Sequence, residues 1–351
     1  MSYFVIGYYA FLIGASSLAA YFGRRGIFLT LFSLTLVSFV LGIIGGVNAL
    51  WFVSVSAALL ALAAGTSYCF REFLIAVTPE GVAKELRTAP LTAAFGMFII
   101  FTYAIAGIFA PVIAPFGESE VIASAFAPAD DQMLLGADQL GRDMFSRIIF
   151  GARNSVGLAL VATSLAFIIG ALAGLLAAVK GGWFDQVMGR IADVVMSVPS
   201  LIFALLMLSI FGTELWVIVI VVAVIYSPRV FRLTRAVAGN VVVMDYIEAA
   251  KLRGEGTWYL IRKEILPNST APLVAEFGLE FCFVFLLIAG LSFLGLGIQP
   301  PTADWGSMVR ENATLISFGD ITPLIPAAAI ALLTVAVNFV VDWMLFRSSG
   351  L

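Results

Sequence analysis

The sequence predicts an all-α polytopic membrane protein. Hydrophobic residues make up 62% of the 351-residue chain and charged residues only 12%, and the mean hydropathy is +1.07. Apolar runs of about twenty residues, the length that crosses a bilayer core of about 30 Å as an α-helix, recur along the chain. Charged residues gather between these runs. This pattern overrides the two soluble domains that the length alone would suggest.

The apolar runs predict nine membrane spans, at 3–22, 27–47, 50–70, 91–114, 155–179, 191–211, 215–227, 271–295 and 321–346. The seventh run is short, but its helix can continue past Pro228 because proline is tolerated in membrane helices. The front of the chain, 1–70, is predicted to hold three spans, with two as the alternative.

The distribution of positive charges predicts the orientation. If the loop 228–270 is cytoplasmic, all but four of the 19 Lys and Arg residues lie inside, the exceptions being Arg142, Arg147, Arg153 and Arg310. This is a strong positive-inside bias. It puts the N-terminus outside and the C-terminus inside, and it favours three front spans, since two would put Arg24 and Arg25 outside.

The predicted loops divide the chain into modules. Residues 71–90 form a charged cytoplasmic linker between the front module, 1–70, and the remainder, 91–351. The external loop 115–153 ends in helical spacing of Leu140, Met144 and Ile148, which predicts an amphipathic helix on the outer surface.

Two compositional features exclude several function classes. The chain contains no histidine, which argues against Ser-His hydrolysis, His-ligated zinc and histidine proton relays. The net charge is −3, and no stripe of Lys and Arg with interleaved aromatics indicates a nucleic-acid partner.

The most charged loop, 240–268, contains "EAAKLRGEGTWYLIRKEILP" (248–267). Asp245 is a plausible N-cap for a short helix, and Gly254 and Gly256 can supply the left-handed conformation that ends it. Thr257 can begin a second helix, and Pro267 predicts a break before the next span. Such a corner lies either against a partner, which small side chains at Ala249 and Ala250 would let approach, or simply at the membrane interface.

An acidic pair lies within a predicted span. Glu276 and Glu280 are four residues apart and share one helix face. Intramembrane carboxylates are costly and often functional, so they could line a translocation path. The predicted span starts at 271, so they could instead reach water or the arginines near Arg229 at the cytoplasmic end.

The charged loop resembles the EAA loop of ATP-binding-cassette (ABC) importer permeases. Three further segments, "LLGADQLGRDMFSRIIFGAR" (134–153), "GGWFDQVMGRIADVVMSVPSL" (181–201) and "AGLSFLGLGIQPPTADWG" (289–306), are similar to the C-type permease of the dipeptide, oligopeptide and nickel branch. The resemblance covers about 91–346, and the first 70 residues lie outside it. It implies a type I importer transmembrane domain with a six-span core, preceded here by about three extra spans.

The resemblance also implies roles and partners. The ATPase-coupling positions would be Glu248, Ala249, Ala250, Gly254, Leu266 and Pro267. The chain would form half of a pathway for di- or oligopeptides or similar solutes in a prokaryotic cytoplasmic membrane. A second permease chain, two ATPase subunits and an extracytoplasmic solute-binding protein would be its partners. The sequence carries no G-x-x-x-x-G-K-[ST] loop, so ATP and Mg²⁺ would bind the ATPase subunits.

The competing hypothesis is a stand-alone secondary transporter or channel. It predicts ion-binding carboxylates at the bilayer midplane and an internal inverted repeat. The sequence shows no such repeat, and its charges lie mostly in loops.

Overall fold

A computed structural model of the chain describes residues 48–318 and 322–348, together with Leu12, Gly14 and Ala15. Apart from those three residues, the predicted spans 3–22 and 27–47 lie outside the described residues. No β-strand occurs in the described part, where two isolated bridges, Val121 with Arg142 and Ala137 with Asp143, are the only β pairing.

The chain divides into two compact units, Met1–Arg87 and Thr88–Leu351. In the first unit, α1 (Asn48–Val77) is followed by α2 (Glu80–Leu86). The predicted boundary at residue 70 is therefore wrong, because it falls inside α1. Residues 71–77 contain no helix breaker, and the helix ends only where Pro79 precedes α2.

The second unit contains the remaining helices. They are α3 (Leu91–Ile108), α4 (Ala110–Ile113), α5 (Met144–Gly151), α6 (Gly157–Lys180), α7 (Gly182–Met196), α8 (Ser200–Phe211), α9 (Leu215–Val242), α10 (Asp245–Leu252), α11 (Thr257–Tyr259), α12 (Leu266–Phe293), α13 (Trp305–Asn312) and α14 (Leu324–Ser348). π-Helical turns join α5 to α6 and α11 to α12, and a 3₁₀ turn, Ala313–Phe318, follows α13.

Six helical segments in the described part are long and apolar enough to cross a membrane. One, Leu60–Val77, belongs to the first unit; the others are Leu91–Ile108, Met144–Lys180, Leu215–Val242, Thr257–Phe293 and Leu324–Arg347. The predicted continuation past Pro228 is confirmed, since Pro228 lies inside α9.

The predicted continuous span 191–211 is wrong. α7 and α8 meet at a bend of 85°. Pro199 restricts Val198 to extended backbone, which prevents one straight helix. The bent pair follows α9: Asp185 pairs with Arg235 and Asp193 with Arg232, and Phe211 lines a groove with Trp216. The pair thus accompanies α9 from residue 216 to 235, a rise of about 30 Å, and it counts as one crossing.

Close packing of α6 on α9 forms the centre of the second unit. A Cβ atom added at Gly170 would clash with the carbonyl oxygen of Ser227, and one at Gly174 would lie 2.8 Å from that of Phe231. The absence of a side chain at these two glycines permits the close approach of the two helices. Trp305, fully buried, packs edge-on against Tyr103 and Phe285, with ring centroids 5.2 and 6.1 Å away.

The end of the predicted external loop differs from the predicted surface helix. Leu140 lies outside the helix, which begins at Met144 because the Asp143 carboxylate accepts a 2.8 Å hydrogen bond from the Ser146 amide. α5 then continues through the π turn into α6. Met144 and Ile149 are buried in the bundle, so α5 is the first part of a longer continuous helix rather than a separate surface helix.

Candidate functional sites

The loop between α9 and α12 contains a closed backbone corner. Gly254 has φ +85°, its amide donates to the Lys251 carbonyl at 2.9 Å, and the Glu255 amide donates to the Ala250 carbonyl at 3.2 Å. These two bonds form a Schellman motif that ends α10. The left-handed conformation predicted for Gly254 is confirmed, whereas Gly256 is extended, with φ −78°.

The predicted helix caps in this loop are wrong. Met244, not Asp245, is the N-cap of α10, and Gly256, not Thr257, is the N-cap of α11. Neither cap has a side-chain hydrogen bond. Backbone bonds close the first turn of α10 instead, such as the 2.9 Å bond from the Ile247 amide to the Met244 carbonyl.

The inner face of the loop is buried against the ends of α6 and α9. Ile247 and Ala250 of α10 are fully buried, together with Ile261 and Ile265 from the following π turn. They pack on Leu175 of α6 and Ala238 of α9. Apolar burial of this kind stabilises the corner against the bundle. Ala250 is therefore covered within this chain, whereas Ala249 is exposed.

The outer face of the loop exposes large apolar side chains. Leu252 is 84% exposed, Val243 78% and Trp258 66%. The charged side chains of Glu248 and Lys251 are also exposed. Apolar groups clustered at a polar rim are typical of a protein interaction surface. We call Val243, Met244, Tyr246, Leu252 and Trp258 the outer apolar surface.

Leu266 and Pro267 do not end a helix. Both are exposed, and they lie in the first turn of α12, which follows the π turn Leu260–Ile265 without a break. The predicted break at Pro267 is wrong, because the π turn already interrupts the i→i−4 hydrogen bonds that proline would remove.

Glu276 and Glu280 lie well inside α12. α12 begins at Leu266, so Glu280 is fourteen residues, or about 21 Å of helix rise, from that end. Glu280 is 3% exposed, and Glu276 is half-buried. Arg229 of α9 is exposed in this chain, and its guanidinium carbon lies 5.4 Å from the centre of the Tyr226 ring and 5.0 Å from that of Phe283.

A buried ion network, missed by the sequence reasoning, lies at the opposite end of α5–α6 from the loop. The side chain of Arg142 lies 2.7 Å from Asp138 and 3.1 Å from Glu311. Arg147, which is fully buried, lies 3.3 Å from Asp138 and 3.6 Å from Glu311. The network ties the long loop before α5 to α13.

Hydrogen bonds around Asp304 join the same two regions. Its carboxylate accepts a 2.7 Å bond from the Ser155 hydroxyl and a 2.9 Å bond from the Ser307 amide. Burial raises the pKa of Asp304, while these hydrogen bonds lower it. The Trp305 indole donates to the Ile148 carbonyl at 3.0 Å. The segments 134–153 and 289–306 thus meet in one packed structure.

Comparison with known proteins identifies the family. Residues 166–348 match the model of the binding-protein-dependent transport system inner membrane component family. The Pseudomonas aeruginosa di/tripeptide transport system permease protein DppC is 35% identical over 70% of this chain and 84% of its own length. The Escherichia coli probable D,D-dipeptide transport system permease protein DdpC is 33% identical over 73% and 86%. A glutathione transport system permease protein, GsiD, from Pectobacterium atrosepticum is 36% identical over 59% and 69%.

Among solved structures, an inward-facing MetNI methionine ABC transporter aligns with a TM-score of 0.47 and 17% identity, over 57% of this chain and 94% of that one. The sequence matches decide the assignment: this chain belongs to the binding-protein-dependent transport system inner membrane components, as an ABC importer permease of the dipeptide and oligopeptide branch.

Proposed function

We propose that this chain forms half of the translocation pathway for di- or oligopeptides, in a type I complex with a second homologous permease and two ATPase subunits. The curated relatives named for dipeptide, tripeptide and D,D-dipeptide transport support the substrate class. The chain is a non-catalytic inner-membrane subunit, so ATP hydrolysis belongs to the ATPase chains. Family membership also removes the alternative of a stand-alone secondary transporter or channel.

The observation that carries the coupling role is the two-sided loop 240–268. Its inner face is fixed on α6 and α9, while its outer apolar surface is free in the chain. A rigid corner of this kind can transmit the movement of an ATPase groove to the spans. In this proposal Glu248, Ala249 and Ala250 belong to α10, Gly254 to the turn that ends it, and Leu266 and Pro267 to the start of α12.

Charging the outer apolar surface tests this role. Leu252→Asp is expected to lower co-purification of the ATPase subunits, because a carboxylate would be buried in the interface without a partner. Leu134→Asp is the matched control, since Leu134 is 64% exposed on the other side of the bundle. Wild-type recovery of ATPase with Leu252→Asp, at equal permease levels, would refute docking through this surface.

We further propose that the external solute-binding protein contacts the surface formed by 115–153 and 296–320. The ion network that holds Asp138 and Arg142 against Glu311 supports this, because it joins both segments into one rigid body. Glu120, Asp130 and Asp131 are exposed there. Replacing all three with Ser and measuring binding-protein affinity tests the contact; an unchanged affinity contradicts it.

For the front module we propose a bracing role. Its supporting observation is that Met1–Arg87 forms a compact unit of its own. We keep the three-span interpretation, with the N-terminus outside and the C-terminus inside. Deleting residues 1–79 is expected to lower the yield of intact complex, and unchanged assembly and transport would dismiss the role. Fusions of a fluorescent protein to each terminus test the orientation.

A further inference from the structure

The helix α7 lies across the bundle rather than along it. The short turn 212–214 joins α8 to α9, and Phe203 and Phe211 of α8 line one side of a groove. The other side is α9, from Trp216 to Val224, so α8 runs alongside α9. The bend between α7 and α8 is 85°. α7 is therefore set nearly at a right angle to α9.

Two ion pairs mark the level at which α7 crosses α9. Asp185 pairs with Arg235, and Asp193 pairs with Arg232. Both arginine side chains are half-exposed, and hydrocarbon disfavours charges that are open to it. The arginines lie about 25–30 Å of helix rise from Leu215, the first residue of α9. A bilayer core of about 30 Å that begins at Leu215 would end at this level.

The outward face of α7 carries an uncovered apolar stripe. Ala192 is buried and packs on Phe231 of α9. On the opposite side Trp183 is 77% exposed, and Ile191 and Val194 are exposed as well. At about 100° of helix rotation per residue, these three side chains lie within about 80° of one another. Trp is enriched where a membrane meets water.

A polar and basic edge borders this stripe. Gln186 and Arg190 are exposed, and helical geometry puts them on the side of Trp183 that faces away from Ile191. Lys180, which ends α6 just before α7, is exposed too. An apolar stripe with Trp and basic residues at its border is typical of a helix in the membrane interface. Anionic lipid headgroups attract such basic residues.

We propose that α7 is an interfacial helix that binds the lipid surface on the side of the coupling corner. Trp183, Ile191 and Val194 enter the boundary between headgroups and acyl chains, while Lys180 and Arg190 contact anionic headgroups. Lipid fits this face better than the second permease does. A homologous permease would bring its own positive-inside charges to the same level and repel Lys180 and Arg190.

The test is a spin-label scan of the complete transporter in vesicles of phosphatidylcholine with one quarter phosphatidylglycerol. Cys69→Ser and Cys282→Ala remove the native thiols. Collisions of the label with O₂, which concentrates in the bilayer, and with a water-soluble nickel chelate are then measured. Single cysteines carry the nitroxide at five exposed positions of α7, one per variant: 183, 186, 190, 191 and 194.

An interfacial helix gives two accessibility profiles that are out of phase. We expect O₂ accessibility to peak at 183, 191 and 194, and nickel accessibility to peak at 186 and 190. Low accessibility of the stripe to both reagents would show a protein contact, such as one with the second permease. High accessibility of the stripe to both would show water. Either result overturns the proposal.

A second measurement tests the headgroup contact. Replacing phosphatidylglycerol with phosphatidylcholine should lower the ratio of O₂ to nickel accessibility at 194 by about twofold or more. Lys180→Gln with Arg190→Gln should remove this dependence. Arg153→Gln is the matched control, because it removes an exposed charge at the opposite end of α6. A ratio that does not depend on the lipid, or an equal dependence in both variants, would overturn the headgroup contact. The scan uses neither peptide nor ATP, so its failure would leave the proposed function standing.

Discussion

Substitutions at Gly254 provide a graded test of the coupling corner. Its φ of +85° is left-handed, a conformation that costs other L-residues about 1–2 kcal/mol. Asparagine tolerates it best, so Gly254→Asn should cost less than Gly254→Ala. Proline cannot adopt it, since its φ is fixed near −65°. Proline also removes the 2.9 Å bond to the Lys251 carbonyl, worth about another 1 kcal/mol.

The packing of the inner face limits the effect of the milder changes. Ile247 and Ala250 are fully buried, so the corner should survive a strain of about 1–2 kcal/mol, which is a factor of about 5–30 in its equilibrium. The proline variant must instead rearrange the turn and tilt the outer apolar surface. We expect the coupling of ATP hydrolysis to transport to decrease in the order Gly, Asn, Ala, Pro.

The assay is ATP hydrolysis stimulated by the loaded binding protein in proteoliposomes, normalised to inserted permease. Gly256→Ala is the matched control, because Gly256 is extended and a Cβ there meets nothing within 4 Å. Undiminished stimulation with Gly254→Pro would refute the idea that this corner transmits the motion. A loss with Gly256→Ala as large as with Gly254→Pro would refute the conformational explanation.

Two further predictions concern stability, both measured by thermal melting of the purified complex. Arg147→Met should destabilise the protein by about 3–5 kcal/mol, because it leaves the buried carboxylates with only one arginine. Arg153→Met, at an exposed position, should have little effect. Equal melting temperatures of the two variants would contradict the prediction. Gly170→Ala should cost about 1–3 kcal/mol by overpacking α6 on α9. Gly290→Ala, where a Cβ meets nothing within 4 Å, should be neutral or stabilising, and a neutral Gly170→Ala would count against the tight contact.

The sequence predicted the presence of the spans better than their ends. Apolar runs mark lipid-facing helix, but helices also continue through polar residues, as from Thr257 through Pro267. The π turns that permit this leave no apolar signal. The bend at Pro199 had a local signal, the proline itself, which the apolar run 191–211 outweighed in our prediction.

The two candidate sites differ in how far local sequence could predict them. Gly254 was predictable because many helices end in a left-handed residue, which is most often glycine. Which of Ala249 and Ala250 faces the bundle depends on contacts with Leu175 and Ala238, far away in the sequence. The pairing of Arg142 with Glu311 spans 169 residues. The one sequence signal for this pairing was that Arg142 lies on the predicted outer side, against the positive-inside pattern.

The close contact of α6 with α9 connects the corner to the seam between α9 and the bent pair α7–α8. Leu175, next to Gly174, packs on the corner's inner face, so we expect a displacement of the loop to move α6 and α9 together. The bent pair α7–α8 is held to α9 partly by the pair Arg232–Asp193, whose side chains are 52% and 49% exposed. Such exposed pairs contribute only about 0–1 kcal/mol. We therefore expect loop movement to change the geometry at the seam between α9 and the bent pair, where Val198 and Phe203 line a cavity with Ile225.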